Sequence, residues 1–542
     1  MTQTVAAPVA DRPAAAAPPG PRRRPRLALS DAVLAWVGPL LMTLLGGGLR
    51  AWRLGSPREL VFDEVYYVKE AASYLQFGYE RAQTRVPSGS PDPFVAGRTD
   101  IFSGGAEFVV HPPVGKWMIA LGEWAVPGDP VGWRLSAMLC GTLSILMVGR
   151  IAHRLFGSGL LATVASLLLA VDGLHLVLSR TGILDIFVMF WALAAFGCLL
   201  LDRDRARARL LLSPVAVAGA GAGRGTATRL GPWLGVRPWR VAAVVCLVLC
   251  TGVKWSGIYV AAVLLTLSVG WDVMARRQAG VRRWVLAGTL RDGVQAFVTS
   301  AVLLPAGYVV TWAGWLATGG GYDRQWAATH PAAPGWAWMP DALRSLWHYH
   351  AEMWHFHLGL RTPHPYMSNP WSWPVLGRPT AFFYAKHTDG HRGCHLPTCS
   401  EAVEALGNPF LWWAGTLALA VLVWRWVLAR DHRAGAVLAG AAAGWLPWFL
   451  YQQRTIFAFY AVAFVPWIVL AVTYCLGLFL GPPGAGPPGT GPPDRRRRDR
   501  ALLIGAYLLL TVLTCWFFAP VLTARVVPHG DWLLRMWMPG WI

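Results

Sequence analysis

VLSRTGILDIFVMFWALAAFGCLLL, residues 177–201, decides the class of fold. Arg180 and Asp185 stand near its start, and from Ile186 to Leu201 no charged side chain interrupts the apolar run. A helix that crosses a bilayer needs about 20 predominantly apolar residues. Residues 183–201 meet that need and leave a cation and a carboxylate at one membrane surface. Comparable runs recur at 32–50, 134–152, 159–178, 239–253, 256–274, 293–316, 409–429, 434–450, 456–480 and 501–522. Together they predict eleven transmembrane helices in an all-α polytopic membrane protein.

Composition agrees. Of 542 residues 55% are hydrophobic and 14% charged, with mean hydropathy +0.41, whereas soluble domains carry about 25% charged residues. A soluble enzyme and a disordered chain are both excluded, and no short repeat suggests a fibrous one. Eleven spans place the N-terminus and every second connection on one side. That side collects 28 of the 48 basic residues against nine of the 28 acidic ones. The positive-inside rule makes it cytoplasmic and leaves the C-terminus extracytoplasmic. The net charge of +20 is thus a topology signal, and no nucleic-acid partner is expected. Lys69, Lys116, Lys254 and Lys386 are the only lysines. Such an arginine bias fits a GC-rich bacterial coding sequence and a bacterial cell membrane.

Residues 1–30 read as a disordered basic arm ending in Arg22, Arg23, Arg24 and Arg26. Residues 31–292 form an N-terminal catalytic membrane module with a first outward loop over 51–133. Residues 293–408 add the seventh span and a second large outward loop, and 409–542 a C-terminal module of four spans. The inward segments 213–232 and 481–500 are Gly- or Pro-rich with arginines, the composition of flexible linkers that touch lipid headgroups. Six cysteines lie in apolar runs. Cys394 and Cys399 sit in a polar outward loop and could pair in an oxidising compartment.

Chemistry concentrates in the outward loops. In ELVFDEVYYVKEAASYLQFG (59–78), Val65, Val68, Ala72 and Leu75 recur at helical spacing, predicting an amphipathic helix at the membrane surface. Asp63 and Glu64 begin it. They read either as a helix cap and a first-turn acid or as carboxylates at the lipid–water boundary, where an Asp can act as general base. His111 leads a rigid HPPVGK turn, and Lys116 opens another amphipathic stretch. Arg134 opens the second span, where it either snorkels to water or meets an anion. Arg180 and Asp185 at membrane depth are either a mutual pair or functional groups. Lys254 lies between two apolar runs, and Arg454 is a further outward cation. Residues 347–374 pack His348, His350, His355, His357 and His364 among aromatic residues. With no cysteine or carboxylate set to complete a zinc site, they are read as an interfacial or sugar-stacking belt, and no metal is expected. Cations near the surface suit a phosphate whose lipid tail stays in the bilayer. A carboxylate beside them suits deprotonation of a hydroxyl. Group transfer from a lipid-linked donor is the implied reaction.

Six motifs carry a resemblance over residues 30–540: FDEVYY, HPPVGK, RLSAMLCG, SRTGILD, TGVKWSG and HPYMSNPWSWP. In this order the chain resembles the bacterial protein O-mannosyltransferases, membrane glycosyltransferases of the GT-C class. The resemblance implies inverting transfer of mannose from polyprenyl-phosphate mannose to Ser or Thr of secreted proteins emerging from the Sec translocon. No cofactor is implied beyond the lipid-linked donor. Carried over onto the matching motifs, Asp63 is the base and Glu64 positions acceptor or donor. Arg134, Arg180, Asp185, Lys254, His111 and Lys116 contact donor phosphate or sugar, and Tyr66, His357, His364, Trp371 and Trp373 contact acceptor or sugar. The 317–408 loop is too short to hold the β-trefoil of eukaryotic members together with HPYMSNPWSWP. The alternatives are another GT-C transferase with a lipid, arabinan or asparagine acceptor, or a transporter or flippase. A transporter would show internal repeats and midplane polar residues, and neither is visible.

Overall fold

The computed structural model describes residues 30–84, 90–212, 230–481 and 495–542. The arm expected over 1–30 and the linker expected over 213–232 fall almost wholly outside these residues, as does most of the linker expected over 481–500, although its residues 495–500 begin a helix. Each of the eleven apolar runs carries helix. Among the described residues nine helices are long and apolar enough to cross a membrane: α1 (Asp31–Ala51), α4 (Pro130–Phe156), α7 (Asp185–Leu211), α9 (Ser256–Gln278), α10 (Trp284–Thr311), α12 (Pro409–Val427), α13 (His432–Tyr451), α14 (Ala458–Leu480) and α15 (Arg495–Leu522). Two are shorter, α5 (Gly159–Ala170) and α8 (Pro238–Val253).

The third expected span is broken. After α5 the chain turns at Val171 and Asp172 and restarts as α6 (Gly173–Leu178). Asp172 caps α6 by accepting from the His175 N–H at 2.8 Å. Its other oxygen accepts from the Asn408 N–H and from Trp412 Nε1. The carbonyls of Leu169 and Ala170, left without helical partners, receive the buried Arg50 guanidinium. A helix end inside an apolar bundle needs such partners for its free carbonyls. Here a cation from α1 supplies them.

The seventh helix also departs from expectation, beginning at Trp284 rather than near 293. Asp292 counts against a span in the sequence, yet it sits inside the helix on a wide π-type turn, Gly288–Gly293. That turn aims it at Arg276, 2.5 Å away. Arg276 belongs to a buried network of Arg237 and Arg240 with Asp202 and Asp272. Arg237 Nη2 lies 2.6 Å from Asp202 and 2.9 Å from Asp272, and Arg240 pairs with Asp272. Three arginines balance three aspartates and tie α7, α8, α9 and α10 together at one end.

The two long connections expected to face outward are folded rather than loose. The first holds α2 (Glu64–Phe77), the antiparallel strands β1 (Arg81–Gln83) and β2 (Phe102–Ala106), and α3 (Val114–Ala125). The second holds α11 (Asp341–Gly359) and the antiparallel strands β3 (Thr380–His387) and β4 (Cys399–Ala405). A short β5 (Val527–Pro528) after α15 joins at Cys399 and Ser400. Cys394 and Cys399 form a disulfide in the β3–β4 connection. The surface-lying amphipathic reading of α2 is corrected: Lys69, Glu70 and Ser73 on its polar faces are buried, while Leu75 is exposed. The charges are accommodated by pairing, Lys69 with Asp92 at 2.6 Å and Glu70 with Lys116 at 3.3 Å.

Removing one partner from a buried ion pair strands the other charge and costs about 3–5 kcal/mol. Asp272→Ala is therefore expected to lower the thermal unfolding midpoint of the purified protein sharply, more than Asp100→Ala in the exposed Arg98–Asp100 pair.

Candidate active site

The non-glycine left-handed backbone at Phe62 (φ 47°) turns the chain into α2, and Asp63 occupies the position before its first residue. Its side chain makes no capping bond, so the cap reading does not describe it. Instead Asp63 Oδ2 accepts from the Tyr67 hydroxyl at 3.3 Å. Burial pushes the Asp63 carboxyl up to about 6, Lys254 pulls it back and Asp185 adds to the rise. A carboxylate with an affinity for protons near neutrality suits a general base.

Glu64, its neighbour, is occupied. Arg134 binds it through Nε and Nη2, both at 2.9 Å. The Val61 and Gly182 N–H groups donate to its two oxygens. Arg134 spends its remaining donors on the carbonyls of Leu54, Pro57 and Glu59, and both side chains are wholly enclosed. This corrects the expectation of a phosphate-binding Arg134, since it has no donor left to offer. Arg180 likewise turns to the end of α1, donating to the carbonyls of Leu49, Arg50, Trp52 and Arg53. It does not pair with Asp185. That carboxylate receives Lys254 at 2.7 Å.

Lys254, whose charge acts on Asp63, lines a cavity of about 510 Å³, and Asp63 itself stands behind that wall rather than in it. Its cations are Lys254 and Arg454, and its walls are largely aromatic, including Trp255, Trp448, Tyr451 and Tyr460. Lys254 Nζ also lies 5.1 Å from the centre of the Tyr460 ring. Arg454 Nη2 meets His357 Nδ1 at 3.0 Å, and Arg454 Nε is enclosed without a hydrogen-bond partner. His357 Nε2 faces the Val110 carbonyl at 2.7 Å, so it carries the proton and leaves Nδ1 to accept. Burial and the neighbouring Arg454 push the His357 imidazole down to about 4. His111 stacks on it at 5.3 Å and is driven well below the usual histidine range, chiefly by burial. Both rings are neutral near pH 7, which leaves positive charge to Lys254 and Arg454.

Lys116 stands behind this wall. It pairs with Glu80 and Glu70 and donates to the His111 carbonyl at 3.0 Å. Burial pushes Glu70 up to about 7. Lys116 thus fixes the HPPVGK turn and does not reach the cavity. Tyr66 is exposed, and His364 packs on the rings of Phe62 and Phe457. Trp371 is exposed against Phe449. Trp373 is core, its Nε1 donating to Ser368 at 2.9 Å. None of these lines the cavity.

Of the expected site residues, the structure therefore gathers Asp63, Asp185, Lys254, His111 and His357. Tyr67, Tyr460, Trp255 and Trp448 were not singled out from the sequence. Tyr67 was within reach, lying four residues and so one helical turn after Asp63. One further expectation is overturned. His348 does have carboxylates at hand: Asp323 at 3.3 Å and Glu352 at 3.7 Å, their donor atoms within 4.8 Å of one another.

A family profile described as dolichyl-phosphate-mannose-protein mannosyltransferase matches residues 40–303, and one described as the C-terminal four-TMM region of protein-O-mannosyltransferase matches 342–478. The chain belongs to this family. It is 35% identical to the polyprenol-phosphate-mannose–protein mannosyltransferase of Mycolicibacterium smegmatis, covering 98% of both chains. The Mycobacterium tuberculosis protein of that name is also 35% identical, over 94% of this chain and 92% of its own. Among solved structures, the Saccharomyces cerevisiae protein O-mannosyltransferase Pmt1–Pmt2 complex bound to the sugar donor matches with a TM-score of 0.67 at 13% identity. That match covers 95% of this chain and 93% of the yeast one. The fold is that of the GT-C membrane glycosyltransferases, and the chain is a glycosyltransferase.

The filled donor set of Arg134 makes a direct prediction for this family member. Arg134→Met should cost about 3–5 kcal/mol through the stranded Glu64 carboxylate. It should appear as loss of folded protein in size-exclusion and thermal-unfolding measurements, and not as a raised KM for donor in the fraction that folds.

Proposed function

We propose that this protein transfers mannose from polyprenyl-phosphate mannose to Ser or Thr hydroxyls of secreted proteins, at the outer face of a bacterial cell membrane and with inversion. The observation that carries the reading is a partly enclosed carboxylate, Asp63, whose proton affinity is raised towards neutrality and which interacts with Lys254, a wall residue of the cavity that also holds Arg454. Membership of the mannosyltransferase family supports the choice of donor and acceptor class. The excess of basic residues on the opposite connections supports the outward placement.

In this reaction the Asp63 carboxylate takes the acceptor's hydroxyl proton. The freed oxygen forms its bond to the anomeric carbon as the bond from that carbon to the phosphate oxygen breaks. The electron pair leaves with polyprenyl phosphate, whose gained charge is met by Lys254 and Arg454. Cations placed where charge develops perform the task that a metal ion performs elsewhere, so no cofactor is needed. A single displacement inverts the configuration, whereas retention would call for a carboxylate nucleophile and two steps. Aromatic walls suit the faces of a sugar and the start of an isoprenoid chain. Glu64 acts at one remove, fixing the turn that presents Asp63. Acceptors would arrive unfolded, as a Sec translocon delivers them.

The test is transfer of radiolabelled mannose from polyprenyl-phosphate mannose to a Ser/Thr/Pro-rich peptide in membranes. Asp63→Asn should express normally and lose about 10²–10⁴-fold in rate, the usual contribution of a positioned base. Retained transfer would move the base elsewhere, and no transfer by the folded wild type would overturn the reaction itself.

The base works ionised, so the rate should fall below pH about 6 as Asp63 takes up its proton. Lys254 is the charge that holds this carboxyl down, so Lys254→Met should move the acid limb of the remaining activity upward. An unmoved limb would assign it to another group.

A further inference from the structure

Far from Asp63 the bundle contains a second hollow, of about 380 Å³. It lies where α7 and α9 end and where α12 turns into α13. Along α7, Arg203 in its wall is 18 residues beyond Asp185, or about 27 Å at 1.5 Å per residue. It therefore belongs to the opposite end of the helices from the candidate active site. Five arginines line it, Arg203, Arg207, Arg425, Arg430 and Arg433, against one carboxylate, Asp431.

That carboxylate is already committed. Asp431 holds Arg433 at 2.7 Å and Arg425 at 3.6 Å, accepts from the Tyr474 hydroxyl at 2.8 Å and caps α13 through the Arg433 N–H. Arg203 lies 5.2 Å from the centre of the Trp271 ring and shares Asp204 with Arg154. Arg207 Nε is enclosed and has no hydrogen-bond partner. Arg430, in left-handed backbone at φ 53°, forms no side-chain ion pair among the described residues. Arg207 and Arg430 are thus left without a paired carboxylate among the described residues, and their planar donors match the oxygens of a phosphate.

The rim identifies the anion's source. Trp424, Trp426, Val427 and Leu428, immediately before the turn, are exposed. A soluble phosphate has no use for an apolar rim, whereas acyl chains continue along one. We propose that this pocket binds the phosphate of an anionic phospholipid headgroup, in the leaflet that the charge asymmetry makes cytoplasmic. The inference is independent of the transfer reaction.

The test uses the full chain purified in a neutral detergent. Its thermal unfolding midpoint and its bound lipid, read by native mass spectrometry, are followed with added phosphatidylglycerol, phosphatidylcholine or inorganic phosphate. Phosphatidylglycerol should raise the midpoint and remain bound, while the other two should not. In Arg207→Gln/Arg430→Gln, retention should fall roughly 30-fold, two partly shielded arginine–phosphate contacts being lost, with mannosyl transfer unchanged. The exposed Arg430→Gln alone provides a smaller loss should the double variant not fold. Equal retention of phosphatidylglycerol by wild type and variants would overturn the site. Stabilisation by inorganic phosphate equal to that by the lipid would overturn the lipid assignment.

Discussion

The buried pair of Arg134 and Glu64 is the constraint on which the half of the protein that holds Asp63 depends. One guanidinium and one carboxylate, both shut off from water, join the start of α4 to the start of α2. Neither charge is tolerable alone in an apolar interior, so the two elements stay in register. The remaining guanidinium donors bind the carbonyls of the chain between Leu54 and Glu59, and the Gly182 N–H brings in the α6–α7 turn. Asp63 is held within reach of Lys254 because its neighbour is immobilised. The two acids of the Asp-Glu pair thus divide their work, one held as an anchor and the other left with room to titrate.

The same device recurs wherever polar backbone or charge lies deep in the bundle. Arg180 closes the end of α1, Arg50 receives the carbonyls where α5 stops, and Asp172 caps α6 while receiving Trp412. At the other end, three arginines and three aspartates join four helices. In each case the apolar surroundings raise the cost of an unpaired group and thereby sharpen the geometry. A rigid frame of this kind lets few side chains remain uncommitted. Arg454 is only partly committed: its Nη2 meets His357 while its enclosed Nε has no partner, and it lines the same cavity as Lys254.

The helical architecture was legible in the sequence because an apolar run of bilayer length has few other uses. Asp63, Lys254 and His111 could be singled out because each is a polar residue in an otherwise apolar or motif-bearing segment, close to a predicted span end. What each residue does was not legible in the same way. Arg134, Arg180 and Lys254 look alike in sequence, three cations at the outer ends of spans. Their partners come from 70 to 80, 127 to 131 and 69 residues away. Whether a guanidinium is free for a phosphate depends on how many carbonyls happen to face it. Composition carries no record of that. Likewise the helix over 284–311 can hold Asp292 because Arg276, 16 residues away, pairs with it.

The amino-acid sequence by itself determined a membrane-embedded helical bundle and its family, since hydropathy and local motifs are properties of neighbouring residues. Only the tertiary structure decided which charges are anchors and which are free, that the third span breaks at Asp172, and that the outward segments form helices and a small sheet. Those outcomes depend on pairings between distant residues, whose energies appear only when water is excluded from between them.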